Sequence, residues 1–128
     1  MLTKNIILSY GDYDLLKNYV SSNTSVSNFS LKKLTTELRT AEIVESGKVP
    51  KTVVQLNSKV KLYIKENKQN INVSLVLPSQ ANIKENKISI YSPMGAAIIG
   101  YEKGDEIAWE VPAGLKTIKI VDVINQND

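Results

Sequence analysis

The sequence predicts an α+β fold: a short N-terminal antiparallel helical hairpin, followed by an antiparallel sheet with one short helix. Three observations carry that prediction. The hydrophobic period changes from helical to alternating across Ser46-Gly47-Lys48-Val49-Pro50, where Gly, Pro and small polar residues gather. Strict alternation follows in Val60, Leu62 and Ile64 and again in Ile71, Val73, Leu75 and Leu77. Ser92-Pro93 then opens a run of small apolar residues that closes on Gly100, the punctuation of a short helix. The chain thus divides into residues 1–48 and residues 49–128, within the length of one ordinary domain or two very small ones.

Before the boundary, Tyr13, Leu16 and Val20 fall at helical spacing, and Ser9 or Asp12 can cap a helix over 12–20. The polar stretch 21–25 reads as a turn. A second helix is expected from about residue 28 to Val44, because Leu31, Leu34, Leu38 and Ala41 make one narrow apolar stripe. Two arrangements fit that stripe: a protruding coiled-coil arm, or two helices packed on the rest of the domain. The spacing by itself favours the packed one.

Beyond the boundary, residues 58–65 form a half-buried strand. The polar residues 66–70 turn it into a second strand over 71–77, which Pro78 stops. A short strand is expected at 87–91 and a helix at 94–99, ended by a left-handed Gly100. Strands follow at 106–111 and 115–124, joined by a Pro112-Ala113-Gly114 turn. Trp109 lies in one of these strands, where ordinary core packing accounts for it.

Composition removes several classes of chemistry. The chain has no cysteine and no histidine. A disulfide framework, a thiol nucleophile, a Ser-His-Asp triad and an HExxH zinc site are therefore excluded. Any metal would need carboxylate ligands, which favours magnesium or calcium. No cofactor, metal site or small-molecule substrate is expected. The apolar fraction is 42% and the charged fraction 23%, ordinary values for a globular chain. Net charge is +3, spread evenly: residues 1–50 carry six Lys or Arg against five Asp or Glu, and residues 51–128 carry ten against eight. Neither half is a basic tail for nucleic acid. No apolar run approaches the roughly 20 residues of a membrane helix, and nothing near Lys4 reads as a signal peptide. A cytoplasmic protein with no membrane partner is the expectation.

One strand face mixes charge and an aromatic ring: Lys59, Lys61, Tyr63 and Lys65. It reads first as a solvated sheet face, because one aromatic is few and Glu66 follows at once; a weak nucleic-acid contact or a contact for an acidic protein surface is the alternative.

A longer pattern is more specific. Ile88-Ser89-Ile90-Tyr91-Ser92-Pro93-Met94-Gly95-Ala96-Ala97-Ile98-Ile99-Gly100 precedes Gly104-Asp105-Glu106-Ile107 and then Trp109-Glu110-Val111-Pro112-Ala113-Gly114. Upstream, Val53-Val54-Gln55-Leu56-Asn57-Ser58-Lys59-Val60-Lys61 leads into the first strand. These ordered blocks, over roughly residues 50–124, resemble the C-terminal domain of the Gre/Rnk family. That family comprises the Gre transcript cleavage factors and Rnk, the regulator of nucleoside diphosphate kinase. The Asn-Ser pair before the basic strand is most similar to Rnk.

The resemblance implies an FKBP-like fold for residues 49–128 and bacterial RNA polymerase as partner, at the rim of its secondary channel. The contact would centre on Tyr91, Ser92, Pro93 and Met94; on the residues alone, Ser92-Pro93 is equally an ordinary helix start. Gre factors often carry an acidic residue where this chain has Tyr91. In the cleavage factors, carboxylates at the tip of a long coiled coil help hold a catalytic magnesium. Here the expected tip, residues 20–30, contains no Asp or Glu. A helix of about nine residues would also span only about 14 Å. The resemblance therefore implies a transcription factor of the GreA/GreB/Rnk type that carries no catalytic residues and does not stimulate cleavage. Peptidyl-prolyl isomerase activity, suggested only by the fold type, lacks the expected aromatic lining: the chain has one Trp, one Phe and six Tyr.

Overall fold

The computed structural model describes residues 5–22, 29–111 and 114–125. Its centre is a five-stranded sheet in the order β5-β4-β3-β7-β6, made of β3 (Lys59–Ile64), β4 (Gln69–Val76), β5 (Lys87–Ser89), β6 (Glu106–Val111) and β7 (Gly114–Ile124). Alternation fixes which side is buried. Val60 opposes Val73 on β4, and Leu62 opposes Ile120 on β7. Ile118 of β7 opposes Ile64 of β3 and Ile107 of β6. All seven are buried, and a one-residue slip would expose the whole set. The register of β7 against β3 shifts between Lys61 and Leu62, so Val121 is an unopposed extra residue.

The α+β class matches the expectation, with one difference in strand direction. β4 and β5 pair in parallel, Leu75 beside Ile88, whereas antiparallel pairing was expected throughout. The connection explains it. Residues 77–86 do not make a tight hairpin; they run through single turns at Pro78–Gln80 and Ile83–Glu85 and a left-handed Asn86. That path carries the chain back along the sheet before it enters β5.

The N-terminal part holds β1 (Ile7–Ser9), α1 (Tyr10–Ser22), α2 (Phe29–Thr40) and β2 (Glu42–Val44). Two expectations change here. Ile7–Ser9 forms a strand that pairs in parallel with β2, Leu8 beside Ile43. The second helix correspondingly stops at Thr40, short of Val44, because Ile43 and Val44 are β-branched and find backbone partners on β1. The first helix is longer than expected, 13 residues, or about 20 Å. Its cap is Ser9, whose Oγ accepts the Asp12 N–H at 3.1 Å. The expected tip, residues 20–30, lies largely outside the described residues, as do most of the 112–114 turn and the segment around Lys4.

Buried side chains from both sides of the expected boundary join one core. Ile6, Leu8, Leu16, Leu34 and Leu38 cluster with Val54, Leu62, Leu75, Ile98 and Ile120. The helices thus lie packed on the sheet domain. Among the described residues no helix is long and apolar enough to cross a membrane.

The last helix, α3 (Pro93–Ile98), is an insert of small residues pressed against the sheet. Gly95 has no room for a side chain: a Cβ there would lie 2.2 Å from the Ser89 carbonyl oxygen. Gly100 ends the helix at φ +84°, and a Cβ there would come within 2.8 Å of the Ile6 Cβ. Both glycines are required by close approach, and Gly100 also by its backbone angle.

Candidate functional site

The Ser-Pro turn is built by its own hydrogen bonds. Ser92 Oγ accepts the Gly95 N–H at 3.1 Å and donates to the Ser89 carbonyl at 2.7 Å. Ser89 Oγ accepts the Tyr91 N–H at 2.9 Å, and the Ser92 N–H reaches the Ser89 carbonyl at 3.0 Å. Pro93 follows as the first helical residue, where its missing N–H costs nothing. Ile90 before the turn and Gly95 to Gly100 after it are buried, so the turn sits on a rigid support.

The four residues singled out in the sequence occupy different positions in this turn. Pro93 is exposed. Ser92 is half-buried, and its hydroxyl is committed to the cap. Met94 is half-buried and packs on the core. Tyr91 is half-buried and faces the N-terminal helix. Its ring stacks on that of Tyr19, centroids 4.2 Å apart and planes 7° from parallel. Its hydroxyl donates to the Leu15 carbonyl at 3.1 Å. Burial, and then the neighbouring Tyr19, raise the Tyr91 pKa. Tyr91 thus ties the turn to α1, a role not visible in local sequence because Leu15 and Tyr19 lie more than 70 residues away.

Two further contacts fix the helices on the sheet domain. Asp12, 8% exposed, accepts the Leu56 N–H on Oδ2 at 3.1 Å. Burial raises its pKa, outweighing the lowering by the Leu56 N–H and Ser9. On the other side, the Tyr101 hydroxyl donates to Glu37, and the Lys33 ammonium lies 4.7 Å from the centre of the Tyr101 ring. Burial, with the Glu37 contact next, strongly raises the Tyr101 pKa. The second Glu37 oxygen, Oε1, is buried without a hydrogen-bond partner among the described residues.

Beside Asp12 a cleft of about 450 Å³ is lined by Ser9, Ser46, Lys51, Gln55, Asn57 and Asn125, among others, with no aromatic side chain. It offers no isomerase-type pocket. Trp109 packs against the core. Among the described residues no group of three or more Asp or Glu could hold a metal ion.

The basic strand face is also placed. Lys59, Lys61 and Lys65 are exposed and Tyr63 half-buried, all on the outer side of β3. Lys65 is paired with Glu106 at 2.6 Å. Lys119, missed in the sequence, stands directly opposite Tyr63 on β7. Its alternation within residues 115–124 was the signal, but the register with Tyr63 depends on the bulge at Val121.

Residues 49–125 match the family model described as "Transcription elongation factor, GreA/GreB, C-term". The chain is 32% identical over 122 residues to transcription elongation factor GreA of Clostridium acetobutylicum, covering 91% of this chain and 75% of that protein. GreA of Clostridium botulinum strain Eklund 17B is 30% identical over 124 residues, covering 92% and 75%. Among solved structures, the prokaryotic transcription elongation factor GreA/GreB from Nitrosomonas europaea superimposes with a TM-score of 0.74 at 31% identity. That match covers 96% of this chain and all of that one. Gfh1 of Thermus aquaticus shares the fold, with a TM-score of 0.55 at 23% identity over 96% of this chain and all of its own.

Proposed function

Because the chain belongs to the GreA/GreB family of transcription elongation factors, we propose that it docks on bacterial RNA polymerase at the rim of the secondary channel through the Ser-Pro turn, without stimulating transcript cleavage. The observation that carries the docking reading is the turn itself. Ser89 and Ser92 hold its backbone, Gly95 presses it against the sheet, and Pro93 stands exposed at its apex. A preorganised turn costs little ordering entropy on binding.

The absence of cleavage follows from charge. Holding a magnesium ion in a polymerase active site takes carboxylate oxygens. Residues 20–30 carry neither Asp nor Glu, and serine and asparagine supply no negative charge. The protein then acts by occupying the site, in competition with factors that do carry tip carboxylates.

Capture of bacterial core polymerase tests the reading. The wild-type chain should be retained and Ser92→Glu/Pro93→Ala should not. On stalled elongation complexes the wild-type chain should leave the transcript intact, and excess chain should suppress cleavage stimulated by a GreA with an acidic tip. Equal retention of both forms, or cleavage by the wild-type chain, overturns the corresponding half of the proposal.

A further inference from the structure

We propose that the outer face of the sheet binds single-stranded nucleic acid, with Tyr63 as a stacking platform and Lys59, Lys61 and Lys119 as phosphate contacts. This face shares no residue with the Ser-Pro turn and stands independently of the docking reading.

A solvated sheet face usually mixes charges so that each lysine has a carboxylate nearby. Here the nearby carboxylates are already engaged. Glu106 pairs with Lys65 at 2.6 Å, Asp122 with Lys103 at 3.6 Å, and Glu85 with Lys87 at 3.0 Å. Lys59, Lys61 and Lys119 have no carboxylate within ion-pair distance among the described residues. All three are exposed.

The register arranges them around one ring. Lys119 lies directly across from Tyr63 on β7. Lys61 precedes Tyr63 by two residues on the same face, about 6.8 Å along the strand, and Lys59 by four. On the opposite side, β4 places Asn70 across from Tyr63, Asn72 across from Lys61 and Ser74 across from Lys59. Asp122 stands across from Lys61 on β7 and Glu106 across from Lys119 on β6, but each of these carboxylates is paired elsewhere, with Lys103 and Lys65 respectively. The ring is thus bordered by Lys119 on one side and by Asn70 on the other. Beside them runs a shallow groove of about 360 Å³, lined by Lys59, Lys61, Asn72 and Ser74 and by the ion-paired carboxylates Glu85 and Asp122, among others.

Each part answers one component of a single strand. Ammonium groups take phosphates, an aromatic face takes a base, and amides reach base edges. An acidic peptide would use the lysines but has no need of the ring or the amide row, so nucleic acid is the better fit. A duplex would keep its bases stacked internally and leave Tyr63 unused.

The test is anisotropy of fluorescein-labelled 12-mers of oligouridylate and oligothymidylate, titrated with the full chain across a range of NaCl concentrations. Three phosphate contacts predict a log–log salt slope of about −2 for a single strand. Lys61→Gln/Lys119→Gln should weaken binding about tenfold or more and flatten the slope to about −0.7. Tyr63→Leu should weaken binding several-fold with the slope unchanged. Ser92→Glu/Pro93→Ala should change little, which separates this face from polymerase docking. The strand bound more tightly identifies the nucleic acid used. Absence of binding at 20 mM salt overturns the proposal. So does binding indifferent to the Lys61/Lys119 and Tyr63 changes, or displacement by poly-glutamate as effective as by unlabelled strand.

Discussion

The Tyr91 hydroxyl donates to the Leu15 carbonyl while the Tyr91 ring lies flat on Tyr19, so one side chain fastens the Ser-Pro turn to α1 twice. The two fastenings are separable. Tyr91→Phe removes only the hydrogen bond and should cost about 1 kcal/mol. Tyr91→Ala also removes the stack and leaves a gap, and should cost about 3 kcal/mol. Thermal unfolding should show the larger fall in Tm for alanine, with Tyr19→Ala lowering Tm as well. Equal Tm for Tyr91→Phe and Tyr91→Ala would mean the stack contributes nothing.

Glycine positions give opposite outcomes by location. Gly95→Ala drives a Cβ into the Ser89 carbonyl and should destabilise by at least about 3 kcal/mol, or prevent folding. Gly11→Ala, on the exposed side of α1 with nothing within 4 Å of its Cβ, should stabilise by up to about 1 kcal/mol. Urea unfolding midpoints of the two variants should move in opposite directions.

Asp12 makes stability depend on pH in an unusual sense. The folded chain holds the Asp12 proton more tightly than the unfolded chain, whose value lies near 3.8. Between that value and the raised folded one, the native state binds the extra proton. The contribution of this group to stability therefore falls as pH rises through that window. Asp12→Asn keeps an acceptor for Leu56 N–H and removes the burial cost of the charge. Its stability at pH 7 should equal or exceed that of wild type, and wild type should gain on the variant as pH falls towards 4. A variant much less stable at pH 7 than at pH 4, relative to wild type, would contradict this.

Tyr101 and Glu37 form a coupled pair at the base of α2. Tyr101→Phe removes one of the two partners of Glu37 Oε2, leaving Lys33, on a carboxylate whose Oε1 is already unpartnered. The expected cost is about 1–3 kcal/mol. Glu37→Gln should cost stability as well, because it also removes the largely buried ion pair with Lys33 at 2.5 Å. A double-mutant cycle on chemical denaturation measures the coupling; additive effects would show the two residues to be independent.

The strands that alternate were legible in the sequence because a sheet with one buried face writes a period of two into its residues: Val60, Leu62 and Ile64 could be read without knowing their partners. Ser92, Pro93 and Gly100 were legible because capping and left-handed geometry are local demands. The parallel pairing of β1 with β2 was not, since Ile7–Ser9 is three residues long and means nothing without Glu42–Val44. The same holds for Tyr91. Its type hinted that an acidic contact had been given up, but its partners Leu15 and Tyr19 are set by how α1 lies on the sheet domain. Lys119 was missed because the bulge at Val121 shifts register by one residue, which no pattern within β7 announces.

Gly100 also orders events on the ribosome. Its N–H donates to the Val54 carbonyl, and its own carbonyl receives the Ile7 N–H. The first strand is therefore synthesised 93 residues before the glycine that holds it. At about 5–20 residues per second, Ile6 and Leu8 wait on the order of 5–20 s without their final cover. The stretch of residues 6–8 is in that interval an exposed apolar segment. Ile118 and Ile120 of β7 complete the same core, so a translational pause anywhere before β7 is made lengthens that segment's exposure to chaperones and to misassociation.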